Sequence, residues 1–409
     1  MPRGCVEAEV GSAKTSPPEA RLRHDRRRAS GTTATEAQQK VGSNGPKTMR
    51  EMIQANGPIW LAVGGFLIGA VFGALVYRTN FCTMGALSDI VNLHDWRRMR
   101  AWLLAIATAI AGAQILDAAG VVELKRSMYL APRINWAGSI LGGLMFGFGM
   151  VFAGGCASRN LARVGGGDLR ALVTLMVVGL GAYMAIGGIV APARSAFELA
   201  TSVEVASSTQ AVGDLIGQRF GLPTALANKV LAAVLVLGIV LYCVADADFR
   251  SSPNHIVAGL GIGSAAVAGW ALTGLAFDEF AERPTAPISL TFVRPSGDAL
   301  EWLGRYTAAP MPGFGVATVF GTIFGAFLTA KLMGRFRLTT FADTGDTVRN
   351  LLGALLMGVG GVMALGCTVG QAITGMSTLA VGSFLTFAAI VTGGICGLKM
   401  LERWLMAEA

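Results

Sequence analysis

The sequence predicts an all-α polytopic membrane protein of about nine spanning helices, with short re-entrant helices, arranged as an inverted repeat. Three observations carry that expectation. Of the 409 residues, 53 % are hydrophobic and only 14 % charged, with a mean hydropathy of +0.56; a soluble domain carries about a quarter charged residues. Apolar runs of about 20 residues, the length that a bilayer core demands, recur along the chain. Two related glycine–cysteine stretches, GGCASRNLARVGGG at 154–167 and GALLMGVGGVMALGCTVGQAITGMS at 353–377, sit in or beside such runs. Setting Cys156 on Cys367 also aligns Gly147 with Gly358, Gly149 with Gly360, Gly155 with Gly366 and Asn160 with Gln371.

Residues 1–48 are rich in Ser, Pro, Gly, Ala and Arg and read as a disordered basic tail. Residues 1–50 hold ten Lys/Arg and five Asp/Glu, so +5 of the formal +8 charge lies there. No nucleic-acid-binding motif accompanies this charge, and nucleic acid is not an expected partner. No apolar stretch follows the arginines closely, so the tail does not read as a signal peptide. Met49 or Met52 is an alternative start that would leave the tail out of the mature protein.

Spanning helices are expected near 58–77, 101–120, 134–153, 169–192, 224–244, 254–274, 312–333, 347–365 and 378–398. Glycines spaced by four (Gly65, Gly69 and Gly73; Gly143 and Gly147; Gly321 and Gly325) let such helices approach closely. Three segments, 78–92, 154–167 and 366–377, are too polar or too glycine-rich to span, and each centres on one cysteine. They are expected to be re-entrant turns, because irregular backbone survives at membrane depth only where protein or a cavity surrounds it.

With 78–92 and 154–167 returning to the side they left, one face collects Arg97, Arg98, Arg100, Arg170, Arg250, Lys331, Arg335, Arg337, Lys399 and Arg403. The positive-inside bias makes that face cytoplasmic, with the N-terminus periplasmic and the C-terminus inside. The helix at 58–77 then runs inward and its counterpart at 254–274 outward. The chain divides into a first membrane repeat at 52–222, a connecting helix within 223–250 and an inverted second repeat at 251–400. A loose alignment of 63–82 on 257–276 sets Ala276 opposite Cys82. Inverted repeats place the permeation site at their interface, near mid-membrane.

The chemistry of the three turns points to an anion. Short helices in re-entrant segments present unpaired amides and a partial positive charge at their N-termini. Gly154, Gly155 and Gly366 leave that backbone unobstructed. Asn160 and Gln371 add amide donors, and Arg159 and Arg163 add cationic charge near the inner mouth. Three thiols on one path, Cys82, Cys156 and Cys367, are soft and polarizable and favour a substrate that itself carries sulfur or selenium. Cys243 and Cys396 lie in apolar helices and read as packing. The six cysteines form no CxxC pair, and the three histidines lie far apart in sequence. A disulfide framework, a zinc site and a cofactor are therefore not expected.

The loops GGCASRNLARVGGG and GCTVGQAITGMSTLA, with NFCTMGALSDI upstream, resemble those of the YeeE/YedE family of bacterial inner-membrane sulfur transporters, over residues 52–398. The resemblance implies an hourglass-like inverted repeat and uptake of thiosulfate or a related ion rather than an enzyme's activity. It implies that Cys82, Cys156 and Cys367 pass the ion by S–H···S contacts. It also implies a small cytosolic TusA-like sulfur carrier as partner. Some members are linked to selenium metabolism. Three other readings stand beside this one: a membrane thiol redox enzyme cycling a Cys156–Cys367 disulfide, a soft-metal transporter drawing on Met145, Met150 and Met363, and a purely structural membrane protein.

Overall fold

The computed structural model describes residues 49–408, apart from 206, 222, 280–284, 309 and 342. The tail at 1–48 lies outside the described residues. The chain divides into Met1–Met52 and Ile53–Ala409; every element named below belongs to the second unit.

The first half opens with α1 (Gly57–Thr79). Pro58 sits in its first turn, where a missing N–H leaves no hydrogen bond unmade, and Asn80 stops it in the left-handed conformation. Then follow α2 (Thr83–Ser88), α3 (Arg97–Ala118), α4 (Trp136–Phe152), α5 (Ala157–Gly165), α6 (Leu169–Ile186) and α7 (Ala191–Thr201). Between the halves lie α8 (Val212–Phe220) and α9 (Thr224–Ala245). The second half contains α10 (Pro253–Ala276), α11 (Val293–Gly304), α12 (Phe314–Leu332), α13 (Thr344–Met363), a π-helical segment (Val369–Gly375) and α14 (Val381–Glu408). Sheet among the described residues is one antiparallel pair, β1 (Arg133–Ile134) with β2 (Val203–Glu204), which sets Arg133 opposite Glu204.

Among the described residues eight helices are long and apolar enough to cross a membrane: α1, α3, α4, α6, α9, α10, α12 and α14. The ninth expected span is helical as α13, but Asp346, Arg349 and Asn350 in its first turns dilute its apolar character.

The helices pair in an exchanged pattern. α1 packs on α12 as α3 packs on α10; α4 packs on α14 as α6 packs on α13. α5 meets α12 and the π-helical segment meets α3; α2 meets α14 and α11 meets α6. Each pair becomes its companion when α1 is exchanged for α10, α2 for α11, and so on to α6 for α14.

The spaced glycines lie at these crossings. A Cβ at Gly73 would collide with the Thr322 carbonyl, and one at Gly325 with the Ala70 carbonyl. Backbone thus meets backbone between α1 and α12, the close approach that small residues permit. Cys243 is buried and its thiol lies 3.5 Å from the Arg100 carbonyl oxygen, whereas Cys396 is exposed.

One irregular segment was not anticipated. Residues 285–292 run extended into the protein, where Leu290 and Phe292 are fully buried. Side chains and backbone of neighbouring helices satisfy it: Thr273 donates to the Ile288 carbonyl at 2.7 Å and Ser289 donates to the Ala266 carbonyl at 2.5 Å. This segment corrects the alignment that set Ala276 opposite Cys82. Ala276 ends α10, and the residue that caps the following short helix, as Cys82 caps α2, is Phe292. Hydrophobic pattern alone could not show the intervening residues.

Replacing Gly325 with Val should destabilise the detergent-solubilised protein by about 1–3 kcal/mol, the usual cost of overpacking. Gly238→Val on α9, where a Cβ meets nothing within 4 Å, should leave the thermal unfolding midpoint unchanged. Equal midpoints for the two variants would contradict the backbone crossing.

Candidate functional site

The two glycine–cysteine turns share one backbone path. Gly154 and Gly155 have φ of 71° and 142°; Leu365 and Gly366 have 56° and 157°. The Gly155 N–H donates to the Met150 carbonyl at 2.8 Å, and that of Gly366 to the Gly361 carbonyl, also at 2.8 Å. The Asn160 N–H reaches the Cys156 carbonyl at 3.0 Å, and the Gln371 N–H the Cys367 carbonyl at 2.8 Å. Leu365 holds a left-handed conformation that a Cβ disfavours by about 1–2 kcal/mol, so the surrounding packing enforces the turn.

The side-chain amides play a different part from the one expected of them. Asn160 Nδ2 donates to the Gly155 carbonyl at 2.9 Å, and Gln371 Nε2 donates to the Ala364 carbonyl. Both donors are engaged by the turn itself. They brace irregular backbone at membrane depth, while Gln371 Oε1 has no hydrogen-bond partner among the described residues.

Cys82, Cys156 and Cys367 are all buried, and Cys156 is close enough to each of the other two to interact with it electrostatically. Cys82 is the N-cap of α2, its sulfur accepting from the Gly85 N–H at 3.5 Å. Its thiol lies close enough to that of Cys156 for the two to interact electrostatically. Cys156 caps α5, is fully buried, and lies 3.3 Å from the Ser158 hydroxyl. Across the interface the Thr368 hydroxyl faces Cys156. Cys367, also fully buried, accepts from the Gly370 N–H at 3.3 Å and neighbours the backbone of Phe292. The Tyr129 hydroxyl lies close enough to Cys367 to interact with it electrostatically.

Hydroxyls without partners accompany the thiols. Thr83 Oγ1, Thr368 Oγ1 and the Tyr129 hydroxyl are buried and make no hydrogen bond among the described residues. A buried unsatisfied group costs about 1–3 kcal/mol.

At one end the path opens into a cavity of about 280 Å³ lined by Cys82, Gly85, Arg98, Arg159 and Arg163. Arg163 is not free charge. It pairs with Asp168 at 2.6 Å and donates to the Gly154 carbonyl at 2.8 Å, while Asp168 also caps α6 through the Arg170 N–H at 3.0 Å. Arg98 pairs with Asp89 at 3.2 Å. Arg159 makes no ion pair among the described residues and supplies the net positive charge of the cavity. At the other end, near Tyr129 and Gln371, the cavity is only about 20 Å³.

The sequence reading named the three cysteines, and the fold brings them together. It missed Tyr129 and Phe292. Neither belongs to a duplicated motif, and only the packing of remote segments places them beside Cys367. Among the described residues no group of three or more His, Cys, Asp or Glu side chains is arranged to hold a metal ion.

Comparison with known proteins gives a consistent result. Residues 78–396 match the family described as Sulphur transport. The thiosulfate transporter TsuA of Spirochaeta thermophila is 28 % identical over 334 residues, covering 80 % of this chain and 96 % of the relative. The protein of that name from Escherichia coli K12 is 27 % identical over 337 residues, 76 % of this chain and 87 % of its own. A probable transporter YedE of Salmonella typhimurium is 36 % identical over 106 residues, about a quarter of each chain.

Asp168→Asn should release Arg163 and weaken both the 154–167 turn and the start of α6. The expected loss is about 1–2 kcal/mol, a charged hydrogen bond reduced by the partial exposure of the pair. Arg159→Gln, which breaks no pair, should leave the thermal midpoint where it is. Equal destabilisation by both would contradict the division between a bracing arginine and an unpaired one.

Proposed function

Since the chain belongs to the sulphur-transport family and is a multi-pass membrane transport protein rather than an enzyme, we propose that it takes up thiosulfate, or a closely related sulfur ion, across the bacterial inner membrane. The observation that carries this reading is the clustering of the buried thiols of Cys82, Cys156 and Cys367, Cys156 being close enough to each of the others to interact with it electrostatically, with Thr368 beside Cys156. A thiol is both a weak donor and a soft acceptor. It can therefore donate to an incoming sulfane sulfur and hand it on without the strong binding that would trap it. Gly155 and Gly366 shape the two turns, Asn160 and Gln371 brace them, Arg159 draws the anion by charge, and Arg163 holds the 154–167 turn closed.

The exchanged helix pairing supports treating 52–222 and 251–400 as two inverted repeats, with 223–250 connecting them. The clustering of basic residues on one face supports a cytoplasmic C-terminus and a periplasmic N-terminus. The arginine-lined cavity then opens toward the cytoplasm. A TusA-like carrier that takes sulfur there is the partner this arrangement fits.

Thiosulfate carries two negative charges. Its influx against an inside-negative potential costs about 2.3 kcal/mol per charge per 100 mV, or roughly 4.6 kcal/mol, more than a thousandfold in concentration. No chain of buried carboxylates suited to a proton relay runs among the described residues of the path. Consumption of the ion inside by a sulfur carrier supplies the pull in this account.

One observation favours a second reading. The Cys82 and Cys156 thiols are close enough to interact electrostatically, so a dithiol redox cycle would draw on that pair before Cys156 with Cys367. Thiol trapping during turnover distinguishes the two: a stoichiometric Cys82–Cys156 disulfide supports redox chemistry, and free thiols support passage.

The test is growth of a sulfur-auxotrophic host on thiosulfate, with labelled uptake measured in parallel. Cys156→Ser and Cys367→Ser keep size and a hydroxyl but lose the soft sulfur. Each should reduce uptake at least tenfold, with Cys243→Ser unaffected. Full uptake by both serine variants would refute the thiol path.

A further inference from the structure

The connecting helix leaves a slot in the helix packing. α9 and α10 both pack on α3 but make no comparable contact with one another. Between them lies an open groove of about 500 Å³. Ala107 and Ala111 of α3 form its floor, Val236 and Val240 of α9 one wall, and Leu260 and Val267 of α10 the other. Two polar side chains border it, Thr108 and Ser264. The Thr108 hydroxyl donates to the Leu104 carbonyl of its own helix at 2.8 Å. That leaves the Ser264 hydroxyl, whereas a water needs two to four polar partners. Hydrocarbon, not water, fills such a space.

Its size decides which hydrocarbon. Leu104 and Gly112 mark its ends on α3, a rise of about 12 Å along the helix, close to the ~15 Å depth of one bilayer leaflet. Spread over that length, the volume gives a channel of about 40 Å² in cross-section, roughly half that of a helix 10 Å across. A lipid acyl chain fits and a helix of another protein does not.

One end of the groove is charged. One turn beyond Val240, the Val244 carbonyl accepts from the Arg250 guanidinium at 2.7 Å. Arg250 is exposed and makes no ion pair among the described residues. Its neighbours are committed: Arg100 pairs with Asp246 at 2.7 Å and Arg97 with Asp95 at 2.6 Å, while Asp248 acts electrostatically on Arg97. This end belongs to the basic face of the protein, and basic groups beside clefts between membrane helices on that face attract anionic headgroups.

We infer that the groove is a binding site for an anionic phospholipid such as phosphatidylglycerol, one acyl chain lying between α9 and α10 and the phosphate resting on Arg250. The lipid supplies the α9–α10 contact that the protein lacks and so fastens the connecting helix to the second half. Nothing in this depends on which ion the protein carries.

The test is native mass spectrometry of the full chain, purified with an equimolar mixture of phosphatidylglycerol and phosphatidylcholine. Wild type should retain phosphatidylglycerol about fivefold over phosphatidylcholine, the discrimination that one arginine near the membrane surface supplies. Arg250→Gln should bring that ratio close to one. Arg335→Gln, on the same basic face just past α12, should leave it unchanged. Ala111→Leu, which puts a larger side chain into the groove, should lose the tightly held lipid. Phosphatidylglycerol should also raise the thermal unfolding midpoint of wild type more than phosphatidylcholine does, with no such difference in Arg250→Gln. Equal retention of the two lipids by wild type, or a preference that survives Arg250→Gln, would overturn the inference. So would a dimer that Ala111→Leu dissolves, since a second copy would then occupy the groove.

Discussion

Irregular backbone at membrane depth has to find its hydrogen-bond partners inside the protein, and the rest of this structure depends on how that constraint is met. Each glycine–cysteine turn interrupts what would otherwise be a spanning helix and frees amides and carbonyls that lipid cannot satisfy. Asn160 and Gln371 reach back four or more residues to the Gly155 and Ala364 carbonyls. The Gly155 and Gly366 amides close onto the helices that precede them. Because both turns are braced the same way, both present a cysteine at the same point of the turn. The glycine crossings between α1 and α12 leave room for this only because backbone touches backbone there.

The electrostatics follow from which charges are already satisfied. Arg163 and Arg98 are committed to Asp168 and Asp89, so the net field at the wide cavity comes from Arg159. At the narrow mouth Arg133 is held by an exposed glutamate. Around the three thiols lie the unpartnered hydroxyls of Thr83, Thr368 and Tyr129.

Much of this was legible in the sequence, for identifiable reasons. Apolar runs of bilayer length are a direct imprint of the solvent, and eight of the nine expected spans meet the measure of length and apolarity. The turns were legible because they occur twice, so that Cys156 and Cys367 identified one another. Other features left no local trace. Whether Asn160 faces a ligand or its own backbone depends on a side-chain rotamer. Whether Arg163 is free depends on Asp168, only five residues away but across a turn. The segment 285–292, TAPISLTF, is too short and too broken by Thr, Ser and Pro to read as a span, and its burial follows from helices contributed by both halves. Phe292 therefore escaped notice, although it occupies the place in the second half that Cys82 holds in the first.

The most direct measurement is the reactivity of each thiol toward a small charged methanethiosulfonate reagent, read peptide by peptide by mass spectrometry, with and without saturating thiosulfate. The account predicts that thiosulfate protects Cys82, Cys156 and Cys367 together and leaves Cys396 reacting at its original rate. Unchanged modification of Cys156 and Cys367 under saturating thiosulfate would show that the ion does not travel between them.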